Sequence, residues 1–445
     1  MVAREERGTR ASRKVRGSHA PRVVVVGAGF GGISVVRDLK AAGCRILLFD
    51  RQNHHLFQPL LYQVATAALS PADIAQPVRA MVRGQENVQV VMGEVTRVDT
   101  EARTVRVRDD DVPYDYLVLA AGATHTYFGH DEWEDRAPGL KTLDDALEIR
   151  RRVLLAFEEA ELEDDPETRK AKLTFVIVGG GPTGVEMAGA LREIAAKTIP
   201  EDFRRVDTST ARVVLLEGQD VLLPGMSSRA SAAARKQLEE MGVEVRTKAF
   251  VTGMDDGAVL LGEERLPAEN VIWAAGVQGA RLAETLGVEL DRQGRVRVEA
   301  DCSLPGHPDV FVIGDLASLE DPETGRPVPG VAQGAIQMGR FVASVIRDAL
   351  ISGGPSEVRR PFHYVDKGVM ATVGRARAVA DIGDMTLKGF FAWLLWSTIH
   401  VLYLVGFRNR LMVMVNWAWQ WLVHARGIRL ITGSPSVRLT RPVDL

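Results

Sequence analysis

Short apolar, β-branched runs alternate along the chain with helix-like stretches, as expected where parallel strands are joined by crossover helices. RVVVV at 22–26, RILLFD at 45–50, YDYLVLAAGA at 114–123, LTFVIVGG at 173–180, ARVVLLEG at 211–218, NVIWAAGV at 270–277 and DVFVIGDLA at 309–317 predict strands. Each apolar run leads into a glycine or a carboxylate, residues that strand interiors disfavour. One stretch breaks the pattern: GFFAWLLWSTIHVLYLVGF, residues 389–407, runs nineteen residues without a formal charge. As a single helix it would extend roughly 28 Å, close to the thickness of a bilayer's hydrocarbon core.

Length and charge qualify that picture. At 445 residues the chain exceeds one hydrophobic core and predicts two or three units. With 46% hydrophobic and 25% charged residues it is a folded globular protein, and a net charge of -3 argues against a nucleic-acid binder. Cys44 and Cys302, the two cysteines, have no close partner, so neither a disulfide scaffold nor a thiolate zinc site is expected, and no metal is assigned. Residues 1–20 are arginine-rich without an apolar run, which predicts a flexible arm and no secretory signal.

The glycines carry the first chemistry. The strand at 22–26 leads into Gly27-x-Gly29-x-x-Gly32, a helical stretch follows to about Gly43, and the next strand ends in Asp50. Such glycines allow a tight turn and close approach of a pyrophosphate to a helix N-terminus, and the carboxylate accepts from a ribose hydroxyl. The arrangement recurs at Gly179-x-Gly181-x-x-Gly184, with Glu217 as the acid after a lengthened crossover. Glu217 favours a free 2′-hydroxyl over a 2′-phosphate, hence NADH. Two Ala-Ala-Gly strand ends place Gly122 and Gly276 where a chain passes close to a ligand, and Gly314-Asp315 ends another strand. Asp315 also suits a helix N-cap.

This arrangement resembles the two-dinucleotide-binding-domain flavoproteins, in which the aspartate of a late Gly-Asp pair binds the ribityl and phosphate part of FAD. The resemblance implies an α/β fold of two Rossmann-like units. The FAD unit would be discontinuous (21–145 and 290–350), with an NADH unit at 146–289 inserted, and residues 351–445 forming an amphipathic helical membrane-anchoring region. Many members of that family use a redox-active cysteine pair. Cys44 and Cys302 lie in different segments, so here the acceptor must reach the flavin directly.

Longer strings narrow the resemblance. NHHLFQPLLYQVATAALSPADIAQPVR at 53–79, VPGVAQGAIQMGR at 328–340 and GFRNRL at 406–411 resemble type II NADH dehydrogenases, single-subunit NADH:quinone oxidoreductases. The family carries a second glutamine in many members where this chain has Met338. The resemblance implies one non-covalent FAD, NADH as donor and a membrane quinone (menaquinone or ubiquinone) as acceptor. It also implies roles for Gln333 and Gln337 near flavin and quinone and for Glu186 near the nicotinamide. Read as residues alone, the glutamines could equally cover a solvated face, and Glu186 could simply favour a first helical turn. Tyr62 and Gln63 read as weaker candidates, and His54, His55, His125 and His130 as solvated loop residues without a role.

The tail fits this acceptor. The apolar stretch at 411–423 is too short to cross back, and Arg408 and Arg410 would sit opposite Lys388 across a bilayer. Five of seven tryptophans (393, 396, 417, 419, 421) lie here, and residues 385–440 hold six Lys or Arg and no Asp or Glu. These features predict helices lying on an anionic membrane surface. The strip Trp393, Ser397, His400 and Tyr403 is more polar than its surroundings, as an in-plane helix requires. The expected protein is therefore a respiratory flavoenzyme, peripheral on the cytoplasmic face of the cell membrane, passing electrons from NADH through FAD to quinone without pumping protons. A homodimer is compatible with the sequence. The competing readings are a soluble NAD(P)H reductase of a ferredoxin or small electron carrier, and a redox-sensing interaction protein.

Overall fold

The computed structural model describes residues 20–354, 359–423 and 428–431; all but Ala20 of the expected N-terminal arm lies outside the described residues. One sheet has six strands in the order Ser303–Leu304, His307–Val312, Tyr116–Leu119, Arg22–Val26, Arg45–Asp50 and Val88–Met92. Its strands run parallel except at the Ser303–Leu304 edge. Parallel strands joined by helices are covered on both faces, which is why these sequences are continuous apolar runs. Val23, Val24, Val25, Leu117, Val118 and Leu119 are all fully buried.

A second, all-parallel sheet of four strands is built from Val243–Thr247, Arg212–Glu217, Thr174–Val178 and Asn270–Trp273. It interrupts the first sheet between Tyr116–Leu119 and His307–Val312. Ala123–His125 pairs antiparallel with Val277–Gly279, tying the outgoing strand of one sheet to that of the other. The first glycine-loop helix, Phe30–Asp38, lies against the long helix Ala332–Ser352. Their close contact depends on small residues: a Cβ at Gly339 would stand 2.5 Å from the Gly31 carbonyl oxygen.

A three-stranded antiparallel meander, Val369–Gly374, Arg377–Ile382 and Met385–Lys388, separates the second sheet's helix Pro182–Glu193 from the tail. Gly189 admits it, since a Cβ there would fall 1.6 Å from the Val373 carbonyl oxygen. The tail differs from the single nineteen-residue helix expected. A first tail helix covers Phe390–Tyr403, the chain turns extended at Leu404 (φ −63, ψ 133) and left-handed at Gly406 (φ 89), and a second covers Phe407–Val423. Arg410 Nε caps the break by donating to Leu404 O at 2.7 Å. Fourteen residues rise only about 21 Å. Among the described residues no helix is long and apolar enough to cross a membrane.

Of the polar strip, Ser397 and His400 turn inward beside Trp396, whereas Tyr403 is 47% exposed. Trp396 is 2% exposed, the Ser397 hydroxyl is buried, and His400 Nδ1–H donates to Trp396 O at 2.7 Å. The water-side positions are instead Phe390, Phe391, Leu394 and Leu402, all exposed. The second tail helix is inverted in the same sense. Asn409, Asn416, Trp417 and Gln420 turn inward and donate to Ala75 O, Asp73 Oδ2, Gln63 Oε1 and Ala68 O. Phe407, Leu411, Met414, Val415, Trp419 and Leu422 face outward.

Burial lowers the His400 imidazole from 6.5 to about 4. Between those values the unfolded chain binds a proton that the folded chain refuses, so stability falls as pH drops from 6.5 towards 4 and changes no further below. The full loss is roughly 3 kcal/mol. Tryptophan fluorescence should report the tail loosening over that window, and His400→Gln should flatten the response. An unchanged acid profile in that variant would remove His400 from the account.

Candidate functional site

The first glycine loop is shaped by its neighbours. Gly27 has φ +102, and a Cβ on it would stand 2.3 Å from Ala120 O; a Cβ on Gly32 would stand 1.8 Å from Gly27 O. These two glycines let strand, loop and helix close on one another. Gly29 differs, because no protein atom lies within 4 Å of where its Cβ would be. Asp50 reaches back, its Oδ2 accepting from Ala28 N at 2.6 Å and its Oδ1 from Gln52 N at 2.7 Å.

The second loop repeats each feature. Gly179 has φ +110 and lies against Ala274, Gly184 closes on Gly179 O at 1.8 Å, and Gly181 opens onto free space. Glu217 Oε2 accepts from Gly180 N at 2.6 Å and its Oε1 from Gln219 N at 2.7 Å. The longer crossover therefore still delivers this acid to its loop. The extra residues are taken up beyond the helix, beginning with a π-helical turn at Ile194–Thr198.

The remaining candidates are spread around these loops. Gly122 (φ +71) is open, whereas Gly276 (φ +77) lies beneath the ring of Phe128, where a Cβ would come within 2.5 Å. Asp315 follows Gly314 (φ +69) in a short 3-10 turn, Gly314–Leu316. Burial pulls the half-buried Lys141 ammonium down, and the Asp315 carboxylate pulls it back up. A loop open at Gly29, carboxylates at Asp50 and Asp315 and a cation at Lys141 fit a dinucleotide such as FAD, with diphosphate over the helix N-terminus.

His55, read as a solvated loop residue, is 3% exposed beside this loop. Its Nδ1–H donates to Ala28 O at 2.8 Å, and its ring meets Phe30 edge-on at 5.0 Å. The loop's backbone oxygen needed a buried donor, a demand invisible in the sequence.

Gln333 and Gln337 both turn towards the segment 365–368. Gln337 is fully engaged there: Nε2 donates to Val365 O at 3.0 Å and Oε1 accepts from Val365 N at 2.9 Å. Gln333 Nε2 donates to Gly368 O at 2.9 Å, and its Oε1 is buried without a partner. Met338 is 2% exposed within the core of the first unit.

Glu186 lies elsewhere, in a cavity between the glycine-loop helix Pro182–Glu193, the short helix Leu61–Ala65, the meander and both tail helices. Tyr62, Gln63, Trp393, Trp396, Ser397 and Trp417 are among its walls. Burial pushes the Glu186 carboxyl well above the usual carboxylate range, opposed only by the Thr372 backbone N–H. Its side chain lines the cavity. Also on its wall, Arg375 donates to Trp421 O and its guanidinium lies 5.6 Å from the indole centroid. Sequence reading assigned no individual role to Trp396, Ser397, Thr372 or Arg375; the polar strip on the first tail helix marked Ser397, and the tail's tryptophan cluster included Trp396.

Known proteins share this arrangement. Residues 21–339 match the pyridine nucleotide-disulphide oxidoreductase family and residues 367–425 the NDH2 C-terminal domain. The chain is 45% identical to the Mycobacterium tuberculosis type II NADH:quinone oxidoreductase Ndh over 94% of its length and 92% of that protein's. It is 30% identical to the type II NADH:quinone oxidoreductase of Staphylococcus haemolyticus, covering 83% of this chain and 91% of that one. The structure of NDH2 from Plasmodium falciparum in complex with NADH superposes with a TM-score of 0.83 at 19% identity, covering 93% of this chain and 100% of that chain. A putidaredoxin reductase–putidaredoxin complex gives 0.60 at 22% identity, over 83% and 89% of the two chains, a likeness of fold alone.

Proposed function

Because this chain belongs to the type II NADH:quinone oxidoreductases, we propose that it oxidises NADH at the second glycine loop and reduces a quinone admitted through the cavity between Glu186 and the tail tryptophans. It is an oxidoreductase using FAD and NADH. The balance is NADH + H⁺ + quinone → NAD⁺ + quinol. FAD, when bound, supplies the intermediate two-electron carrier.

The chain's own residues bind, orient and exclude water. Asp50, Lys141 and Asp315 hold one FAD non-covalently, and the open backbone at Gly29 receives its diphosphate. Glu217 accepts from the adenosine ribose of NADH and repels a 2′-phosphate. Glu186, its carboxyl pushed up by burial, would hold a proton next to where quinone oxygens gain negative charge. The reading rests on one observation: a single cavity is lined both by Glu186 on the glycine-loop helix and by tail tryptophans. The apolar faces around its mouth would rest on the cytoplasmic leaflet, where menaquinone or ubiquinone resides, with protons drawn from solvent and none translocated. The ferredoxin-reductase alternative draws only on a likeness of fold.

Anaerobic addition of NADH should bleach the flavin absorbance of the purified protein, and a water-soluble quinone should restore it. In sealed vesicles NADH oxidation should leave the lumen pH unchanged. A reduced flavin that no quinone reoxidises, yet a ferredoxin does, would replace this reading with the alternative.

A further inference from the structure

We propose that the indole Nε1–H of Trp396 and the hydroxyl of Ser397 together hold a carbonyl oxygen of the quinone in the tail-side cavity. This refinement rests on the quinone reading above. Its basis is an inventory of the polar side chains on the cavity wall. Gln63 donates to the Tyr62 hydroxyl at 2.8 Å and accepts from Trp417 Nε1 at 2.8 Å. Thr66 Oγ1 donates to Tyr62 O at 2.8 Å, and Gln420 Nε2 to Ala68 O. Trp396 Nε1 and Ser397 Oγ, consecutive on the first tail helix, are buried with no partner.

Neither orphan follows from ordinary helix chemistry. A helical serine or threonine usually returns its hydroxyl to the carbonyl four residues back. Thr398 does so, donating to Leu394 O at 2.9 Å, whereas Ser397 does not. Trp396 is held rigidly, 2% exposed, stacked on His400 at 4.2 Å and against Trp417 at 5.6 Å. Buried donors left unpaired are rare because each has given up water for nothing. Two on adjacent residues of one wall are accounted for by an acceptor that arrives with the ligand. A quinone carbonyl offers two lone pairs and no donor, and its flat ring suits a cavity walled by indoles. Glu186, whose carboxyl burial pushes well above the usual carboxylate range, lines the same cavity.

Trp396→Phe removes the N–H and keeps an aromatic ring against His400 and Trp417; Ser397→Ala removes the hydroxyl alone. With a short-chain ubiquinone as probe, the double variant should raise KM for quinone roughly ten- to hundredfold. The rate at which NADH bleaches the flavin is the internal control and should stay within twofold. Infrared difference spectra should show the bound quinone C=O stretch lowered in the wild type and returned towards its free frequency in the variants. Were Trp396→Phe to fold poorly, judged by flavin content and melting temperature, Ser397→Ala alone decides. Quinone KM and carbonyl frequency both unmoved, in a wild type that does turn quinone over, would mean that the donors serve a buried water and the inference fails. A wild type whose reduced flavin no quinone reoxidises would instead overturn the function proposed above.

Discussion

Gly181→Ala is expected to raise KM for NADH roughly ten- to hundredfold while leaving flavin content and melting temperature as they are. Gly184→Ala, three residues on, is expected to lose soluble protein. The difference is geometric. At Gly181 (φ −69, ψ −178) the backbone is one that alanine adopts freely, and no protein atom stands within 4 Å of the added Cβ. Only a ligand on the loop would meet that methyl group. Pushing a diphosphate off backbone N–H donors forfeits charge-assisted hydrogen bonds worth roughly 1.5–3 kcal/mol, hence the factor expected. At Gly184 the same methyl group would sit 1.8 Å from Gly179 O, inside the contact that closes strand, loop and helix. The first loop offers the same pair: Gly29→Ala should fold and lose FAD on dilution, and Gly32→Ala should not accumulate folded. Unaltered NADH affinity in Gly181→Ala, measured by flavin bleaching at limiting NADH, would take the diphosphate off this loop.

That contrast also marks what the sequence could and could not reveal. Strand runs ending in glycine or acid were legible because parallel strands and dinucleotide loops both demand particular residues at particular spacings. Even the long crossover before Glu217 did not conceal its pairing with Gly180. The tail was legible as apolar, basic and tryptophan-rich, yet its break at Leu404–Gly406 was not, because an uninterrupted apolar run carries no sign of where a helix stops. Gly406 and the arginines after it were the available signal. The strip of Trp393, Ser397, His400 and Tyr403 was legible as more polar than its surroundings, but not which of its members turn inward: Ser397 and His400 do, and Tyr403 does not. This helix reverses the usual arrangement, with Trp396, Ser397 and His400 inward and Phe391 and Leu402 outward, as the proposed contact with lipid requires. Burial of Glu186 depends on the tail, meander and helix Leu61–Ala65 meeting, which no local pattern encodes. Neither does the engagement of Gln337 by Val365.

Replacing Phe391, Phe407 and Leu422 together by glutamate should release the protein from anionic liposomes by a thousandfold or more. The three side chains are 74%, 83% and 71% exposed, so the folded protein loses little packing when they change. On the membrane reading proposed above, the substitutions remove their burial in the leaflet, at roughly 1.5–3 kcal/mol each even before the cost of taking three carboxylates to the lipid boundary. The sum is on the order of 5 kcal/mol, which exceeds what the nearby Arg408, Arg410 and Lys388 contribute at about 1 kcal/mol apiece. Raising the salt concentration should therefore weaken the wild type only in part, whereas the triple variant should stay in solution at every salt concentration in a flotation assay. Reduction of a water-soluble quinone should persist in that variant, since none of the three residues lines the cavity. Reduction of a long-chain quinone confined to the liposome should collapse, because acceptor and cavity no longer share a surface. Flotation of the triple variant with the lipid, at wild-type levels, would show that these outward faces are covered by protein and that quinone reaches the cavity by another route.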